Sequence, residues 1–207
     1  MINDIKKIFE NRENGILGNH ERSAVVLFLC GDNKGELYII FEVRALHLDR
    51  QPGDISLPGG KIEKNESPQQ AAIRESLEEL NVDLEDISII GAMDCYVTPY
   101  NKIIYPFIGL IKDIDIKPNK DEVNHVFKVP LKFFMENEPK CYEVNIVSEF
   151  PEDFPYHLII GGKDYNFSKG NLKQYFYQYN GYVIWGFTAL IVKSFIEELK
   201  SKINNEN

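Results

Sequence analysis

Residues 60–82 read GKIEKNESPQQAAIRESLEELNV, a glycine-led loop that runs into a strongly marked helix. Ser67 is a favourable N-cap, and Pro68 suits the first position of a helix. Gln70 completes a capping box with Ser67. Asn81 can adopt the left-handed conformation that ends a helix. The sequence therefore predicts a helix that begins at Pro68 and stops before Asn81.

Acidic residues crowd one part of this helix. Ile73, Leu77 and Leu80 recur at helical spacing and should face a core. Glu75 and Glu79 lie one turn apart, so their carboxylates share a face. Crowded like charges destabilise a helix unless a positive group lies among them. Oxygen ligands without histidine or cysteine suit a hard cation, so the pattern indicates Mg²⁺ or Mn²⁺.

A solvated acidic surface is the alternative interpretation of this helix. That interpretation would be favoured for an isolated ESLEEL. The preceding Gly59-Gly60 loop and Glu66 favour a cation site instead. Glu78 also lies within reach of Arg74, four residues earlier on the same helix.

The segment resembles the Nudix box, in which a glycine, five residues, Glu and seven residues precede Arg-Glu-x-x-Glu-Glu. The positions that match are Gly60, Glu66, Arg74, Glu75, Glu78 and Glu79. Asn81 stands where the box has glycine, and asparagine tolerates positive φ better than most residues. The resemblance implies an α/β (α+β) fold of the Nudix type, an α/β/α sandwich with a mixed β-sheet between helices. It also implies hydrolysis of a diphosphate linked to another moiety.

The stretch before the box, VRALHLDRQPGDISLPGG, resembles the signature of bacterial coenzyme A (CoA) pyrophosphatases. The matching positions are Arg44, Ala45, Gly53, Leu57, Pro58, Gly59 and Gly60. Leu57 replaces the usual Phe. Asp49 replaces the usual Arg, with Arg50 one position late. Three later stretches, TPYNKIIYPFIG, DEVNHVFKVPL and YVIWGFTALIV, extend the likeness over roughly residues 24 to 193.

This likeness implies a reaction, and it leaves alternatives open. CoA would be hydrolysed to 3′,5′-ADP and 4′-phosphopantetheine, or an acyl-CoA to the acylated phosphopantetheine. Another nucleoside diphosphate derivative, such as ADP-ribose, a dinucleotide polyphosphate or an oxidised nucleotide, is the nearest alternative. A nucleotide-binding Nudix domain without activity and a structural protein with an acidic helix are further alternatives.

The resemblance also implies roles for individual residues. Those expected to hold the metal are Glu75, Glu78, Glu79 and the carbonyl of Gly60. The general base is expected to be Glu75 or Glu122, and Arg74 should orient the carboxylates. Glu66 and Gly59 are expected to be structural within the motif. The residues expected to contact substrate phosphates are Arg44, Arg50 and Lys61.

Several of these residues also have an ordinary structural interpretation. Arg44 could pair with an acid at a strand end, and Glu122 could simply face solvent. Trp185 is interpreted as helix packing. The aromatic side chains interpreted as core or sheet-face residues are Tyr100, Tyr105 and Phe107.

Composition bounds the remaining possibilities. With 43% hydrophobic and 27% charged residues, the 207-residue chain is typical of a globular protein. A net charge of −9 argues against nucleic-acid binding, and no apolar run reaches membrane-spanning length. Cys30, Cys95 and Cys141 are interpreted as reduced, buried thiols of a cytoplasmic protein. The family resemblance makes a homodimer an expectation.

We expect a single domain over residues 23–202. An N-terminal helix and linker (1–22) should precede it, and a polar tail (203–207) should follow. Residues 137–180 look irregular and should form a hairpin or an excursion within the domain, not a second domain. The expected strands are 24–30, 36–43, 87–91, 95–98, 103–111 and 122–129. Residues 130–135 and 184–202 are expected to be helical, with Trp185 on the apolar side of the last helix.

Overall fold

A computed structural model describes residues 1–13 and 15–205, and within them the chain forms four α-helices and eleven β-strands. The helices are α1 (Ile2–Phe9), α2 (Pro68–Leu80), α3 (Leu131–Glu136) and α4 (Gly186–Asn205). The strands of the large sheet are β1 (Glu21–Gly31), β2 (Leu37–Arg44), β3 (Ile55–Ser56), β4 (Gly59–Lys61), β5 (Ile87–Ala92), β6 (Tyr96–Val97), β7 (Lys102–Ile111) and β8 (Val123–Pro130). The strands of a small antiparallel sheet are β9 (Lys140–Ile146), β10 (Gly170–Tyr179) and β11 (Tyr182–Trp185).

The large sheet is mixed, as the sequence predicts. Its main path runs β3-β2-β1-β7-β5, and β1 pairs with β7 in parallel. All its other pairings are antiparallel, including those of β4 with β1, β6 with β7 and β8 with β2.

Helices cover both faces of this sheet because β1 is apolar on both sides. Ala24, Val26 and Phe28 pack in the cluster that contains Leu80 of α2. Leu27 packs in the cluster that contains residues 189–196 of α4. Successive side chains of a strand point to opposite faces. The alternation along β1 therefore fixes a helix–sheet–helix sandwich and confirms the predicted fold class.

Local signals place α2 where the sequence predicts it. The Ser67 hydroxyl accepts the Gln70 backbone N–H, and the Gln70 side chain accepts the Ser67 N–H. Asn81 ends the helix with a left-handed φ of 52°. Both ends of the helix are thus confirmed.

The sheet splits along one edge of β1. Residues 23–25 pair with β4, whereas residues 29–31 pair with β2. Between these pairings the Val26 N–H donates to the Pro58 carbonyl at 2.8 Å. The segment after β3 therefore enters the gap, and it brings a loop to the C-terminal end of α2.

The C-terminal part of the chain differs from the sequence prediction. Within residues 137–180, β9 and β10 pair as an antiparallel hairpin, which is one of the two predicted alternatives, and only the long connection between them is irregular. The predicted helix over 184–202 begins two residues later, at Gly186. Trp185 is the last residue of β11, so its assignment to the apolar side of a helix is wrong. Gly186 has a φ of +65°, which turns the chain from strand into helix.

Smaller differences concern the termini and the cysteines. Cys30 is buried, but Cys95 and Cys141 are exposed, so the prediction of three buried thiols is wrong for two of them. β1 begins inside the predicted linker, and α4 continues into the predicted tail. Asn14, Glu206 and Asn207 lie outside the described residues. No helix among those described is both long enough and apolar enough to cross a membrane.

Candidate active site

Two buried glutamates from different elements approach each other near the C-terminal end of α2. Glu79 of α2 is 4% exposed and Glu42 of β2 is 1% exposed. Glu79 Oε2 accepts the Gly59 N–H at 2.7 Å, and Glu42 Oε1 accepts the Ser56 hydroxyl at 2.8 Å. Glu42 Oε2 is buried and has no hydrogen-bond partner among the described residues. The interior of the protein therefore holds two ionisable groups and one unsatisfied oxygen.

Burial makes it costly to ionise both of these carboxyl groups. It raises the pKa of Glu79 to about 9, and repulsion from Glu42 contributes in the same direction. Burial also raises the pKa of Glu42 to about 7, against the opposing effects of the Ser56 hydroxyl and the Arg44 charge. Perturbed carboxyl groups of this kind are common in functional sites because structure alone gives no reason to bury them.

Glu75 and Glu122 complete the acidic group. Burial raises the pKa of Glu75, although the neighbouring Arg74 opposes that shift. Glu122 is exposed in the turn immediately before β8, and its charge repels Glu42, Glu75 and Glu79. We refer to Glu42, Glu75, Glu79 and Glu122 as the inner carboxylates. Three of the four were expected at the site from sequence.

Arg74 organises a second set of acids on the outer side of α2. Its guanidinium donates to both carboxylate oxygens of Glu66, at 2.9 and 3.1 Å, and to the Lys61 carbonyl at 3.1 Å. It also lies 2.9 Å from Glu75 Oε1 and 3.3 Å from Glu78 Oε2. The two-oxygen contact ties the loop after β4 to the helix. Glu78 is 55% exposed, so it is the most solvent-accessible acid of this helix segment.

Two positions of the loop require glycine because the backbone there lies very close to neighbouring atoms. A Cβ on Gly59, whose φ is +141°, would lie 2.2 Å from the Ala24 carbonyl oxygen. A Cβ on Gly60 would lie 2.5 Å from the carboxyl carbon of Glu75. Glycine at both positions therefore lets the backbone lie directly against β1 and against the acidic helix.

An irregularity in the sheet positions Arg44. The pairing of β2 with β8 shifts register between Val43 and Arg44, which leaves Asn124 as an extra residue in β8. Such bulges redirect neighbouring side chains, and they are frequent near active sites. The Arg44 Nε is buried and has no hydrogen-bond partner among the described residues. A buried guanidinium nitrogen without a partner is available to an anionic ligand.

Arg44 and the glycine loop border a cleft of about 430 Å³. Its walls include Arg44, Ser56, Gly59, Gly60, Lys102 and Trp185. The described residues that line the cleft include neither Arg50 nor Lys61, and both of these side chains are exposed. The structure thus brings together Arg44, the inner carboxylates and the loop, but not the other two expected phosphate contacts.

Aromatic residues form another part of the cleft wall. Tyr100, Trp185 and Phe187 line it. Tyr100 is 62% exposed, so its interpretation as a core or sheet-face residue is wrong, whereas Phe107 is buried as expected. Trp185 is 40% exposed and stacks on Phe176 of the small sheet, with ring centroids 5.9 Å apart. Trp185 therefore packs against the small sheet and also faces the cleft.

Sequence reasoning missed Glu42, Ser56 and Lys102. Glu42 left a signal, because it is the only acid in the apolar strand LYIIFEVR and sits between Phe41 and Val43. A carboxylate inside an apolar strand is buried only when something else compensates it. Ser56 and Lys102 carried no comparable signal.

The acidic residues chemically suit a hard divalent cation. The site offers carboxylate and carbonyl oxygens, and no described positive side chain offsets the charge of Glu79. No three Asp, Glu, His or Cys side chains in residues 1–13 and 15–205 are already grouped as metal ligands. Glu75 is engaged by Arg74, and Glu79 by the Gly59 amide. Each of these contacts uses one carboxylate oxygen, so the donors present suit the ion.

Residues 20–140, more than half of the chain, match the NUDIX domain family, and the chain therefore belongs to that family. The peroxisomal coenzyme A diphosphatase NUDT7 of Mus musculus is 32% identical over 143 residues, or 68% of this chain and 59% of that protein. Nudix hydrolase 15, mitochondrial, of Arabidopsis thaliana is 29% identical over 176 residues, or 83% of this chain and 56% of that protein. The chain thus spans less than two thirds of the length of either relative.

Solved structures support the fold. A MutT/nudix family protein from Enterococcus faecalis superposes with a TM-score of 0.53 at 14% identity, over 97% of this chain and 70% of that one. At this identity the likeness concerns the arrangement of helices and strands alone.

Proposed function

We propose that this protein is a metal-dependent pyrophosphohydrolase that cleaves the diphosphate of CoA or its derivatives. The products would be 3′,5′-ADP and 4′-phosphopantetheine, acylated when the substrate is an acyl-CoA. The proposal rests above all on the inner carboxylates, which lie beside a cleft that contains the partly unsatisfied Arg44. Burying Glu42 and Glu79 costs stability, and a site that binds a cation and a diphosphate gives a reason for that cost.

The residues of the acidic helix would hold the cation. Glu75, Glu78 and Glu79, with the Gly60 carbonyl, are the proposed ligands of Mg²⁺ or Mn²⁺. A bound divalent ion supplies polarisation of the diphosphate and acidifies a bound water. Glu42 lies next to Glu79 and has one unsatisfied oxygen, so its negative charge would favour a cation bound at Glu79.

The remaining residues would orient the water and the substrate. Glu75 or Glu122 would accept the proton of the attacking water, since both belong to the inner carboxylates. Arg74 would hold Glu75 in place through its 2.9 Å contact, while Glu66 keeps Arg74 aligned. The Arg44 guanidinium would bind a phosphate oxygen, because its Nε has no protein partner among the described residues. The phosphate contacts of Arg50 and Lys61 stay predictions, since neither side chain lines the cleft.

CoA is the proposed substrate for two reasons. The signature before the box carries the CoA pyrophosphatase pattern at Arg44, Gly53 and the Pro58–Gly60 segment. The mouse relative is named a coenzyme A diphosphatase. A different nucleoside diphosphate derivative is the second candidate, and the exposed Asp49-Arg50 pair favours it because the signature places a single arginine there.

Purified protein incubated with Mg²⁺ or Mn²⁺ would test the proposal. We would offer CoA, an acyl-CoA, ADP-ribose and a dinucleotide polyphosphate, and resolve the products by chromatography. The expected result is preferred release of 3′,5′-ADP and phosphopantetheine. Preferred cleavage of another diphosphate would overturn the CoA assignment but not the pyrophosphohydrolase mechanism. If no substrate were cleaved, a binding module would be favoured.

Compartment and assembly are also part of the proposal. Exposed free thiols at Cys95 and Cys141 are compatible with the reducing cytoplasm. The homodimer rests on the family resemblance, and light scattering on the eluting protein would test it.

A further inference from the structure

We propose that Lys102 binds a phosphate monoester of the substrate that is separate from the diphosphate being cleaved. In a CoA-like substrate this group is the 3′-phosphate of the nucleotide half. The inference rests on the proposed function and deepens it, since it assigns a residue that distinguishes such substrates from diphosphates without a further phosphate.

Lys102 lines the same cleft as Arg44 but lies away from the inner carboxylates. The sheet register places Gly60 opposite Ala24 of β1, and Lys102 opposite Glu21 of the same strand. Two strand spacings and a three-residue offset put the Cα atoms of Gly60 and Lys102 roughly 14 Å apart. A lysine at that distance reaches a different part of the ligand from the part held at Gly60.

The turn that carries Lys102 is held by its own hydrogen bonds. The hydroxyl of the buried Thr98 accepts the N–H groups of Tyr100 and Lys102, both at 3.2 Å. The Thr98 N–H donates to the Lys102 carbonyl at 2.8 Å. Asn101 takes a left-handed φ of 56°, and its carbonyl accepts the Glu21 N–H. The start of β7 is therefore fixed before any ligand binds.

The charge of Lys102 has no counterpart in the described part of the chain. The side chain is half-buried, and no described acid lies within ion-pair distance of it. In a protein of net charge −9, an unpaired lysine in a cleft is well suited to an anionic ligand. An ammonium is a compact point charge that suits a phosphate.

Two aromatic side chains, Tyr100 and Phe187, line the same cleft as Lys102. The Phe187 ring is 5.5 Å from that of Tyr96 and 6.3 Å from that of Tyr100, between ring centroids. Rings of this kind provide a contact surface for a nucleobase. A base next to these rings would carry its ribose phosphate toward Lys102. The combination of aromatic rings and an unpaired lysine matches a phosphorylated nucleoside better than a pantetheine arm.

Paired substrates test the assignment directly. We would compare CoA with 3′-dephospho-CoA on wild type, Lys102→Met, Lys102→Arg and the control Lys132→Met, whose lysine is exposed on α3 and does not line the cleft. Wild type should favour CoA. Lys102→Met should reduce that preference in kcat/KM roughly 10- to 100-fold, chiefly by raising KM for CoA. Lys102→Arg should retain part of the preference, and Lys132→Met all of it. An equal loss with both substrates would mean that Lys102 contacts the diphosphate, and this would overturn the proposal.

Binding measured without turnover separates this inference from the proposed function. Trp185 is the single tryptophan of the chain and lines the cleft, so its fluorescence can report ligand binding. Adenosine 3′,5′-diphosphate should bind more tightly than AMP to wild type, and about equally to Lys102→Met. If CoA were not hydrolysed but this binding preference remained, the proposed CoA reaction would be refuted and the role of Lys102 would stand. Equal affinities in the wild type would sink the role of Lys102.

Discussion

The two sides of α2 place the same kind of side chain in opposite environments. On the outer side, hydrogen bonds from Arg74 lower the pKa of Glu66. On the inner side, burial and Glu42 raise the pKa of Glu79. Both residues are glutamates of one motif, so residue type does not account for the difference. The difference is that the Arg74 guanidinium lies against Glu66, whereas no described positive side chain offsets the burial of Glu79.

This contrast separates the structural acids from those that need a partner from outside. The charge of Glu66 is compensated by Arg74 of the same chain, and this pair links the loop to the helix. Among the inner carboxylates the imbalance is greatest at Glu79, where repulsion from Glu42 is the largest effect after burial and no described positive side chain opposes it. A divalent cation would supply that positive charge. Substitutions on the two sides should therefore have different consequences.

The largest effect is expected at Glu79. Glu79→Gln removes a proposed metal ligand but keeps a side chain of the same size that can accept the Gly59 N–H. We expect turnover of the cleaved substrate to fall on the order of 10²–10³-fold or more, while circular dichroism stays that of the wild type. Glu85→Gln, at an exposed acid of the turn before β5, is the matched control and should retain activity. Near-wild-type turnover in Glu79→Gln would remove this residue from the metal site.

The second-largest effect is expected in the pH dependence of the stability of the metal-free protein. Burial and mutual repulsion raise the pKa values of the Glu42–Glu79 pair in the folded state, to about 7 and about 9, far above the ordinary glutamate value that applies when the chain is unfolded. Between about pH 5 and 9 the folded state therefore binds more protons, and the free energy of unfolding must fall as pH rises. We expect the Tm in a metal chelator to drop by roughly 5 °C or more across this range.

A cation should counter this loss. Saturating Mg²⁺ or Mn²⁺ binds the ionised acids, so it should raise Tm most at high pH, by roughly 5–10 °C at a hundredfold excess over its Kd. Glu79→Gln should flatten the pH dependence and weaken the response to metal. The pKa values of Glu66 and Asp86 are lowered instead, so these acids contribute with the opposite sign and only at the acidic end of this range. A metal-free Tm that rose with pH would contradict the origin assigned to these shifts.

Separation along the sequence decides which parts of the site could be predicted. The capping box at Ser67 and the left-handed Asn81 act within a turn of the chain, so both ends of α2 could be predicted. The spacing of Glu75 and Glu79 placed them on one face. Glu42 arrives from β2, more than thirty residues earlier in the sequence, and only the sheet brings it to Glu79. A helical pattern holds no information about that partner.

The small sheet was hard to predict for a related reason. β9 is exposed at nearly every position, so it lacks the alternation of apolar and polar residues that marks a half-buried strand. Its pairing with β10 joins Lys140 to Phe176 across a long irregular connection. The apolar run of β11 continues directly into α4, and only the positive φ of Gly186 separates strand from helix. The helical pattern of apolar residues therefore continued back past Gly186, and for this reason Trp185 was wrongly predicted to lie in the helix.

The smallest effect is expected on the outer side of α2. Glu66→Gln removes one charge from the two-oxygen contact with Arg74, but Arg74 keeps its contacts with Glu75 and Glu78. Because Glu66 acts on the carboxylates only through Arg74, we expect about a tenfold loss of kcat. The affinity for Mg²⁺, measured by thermal shift, should change little. The pH dependence of the metal-free Tm should remain that of the wild type. If Glu66→Gln instead flattened that dependence as Glu79→Gln does, the acids on the two sides of the helix would form a single coupled group, and the distinction between them would fail.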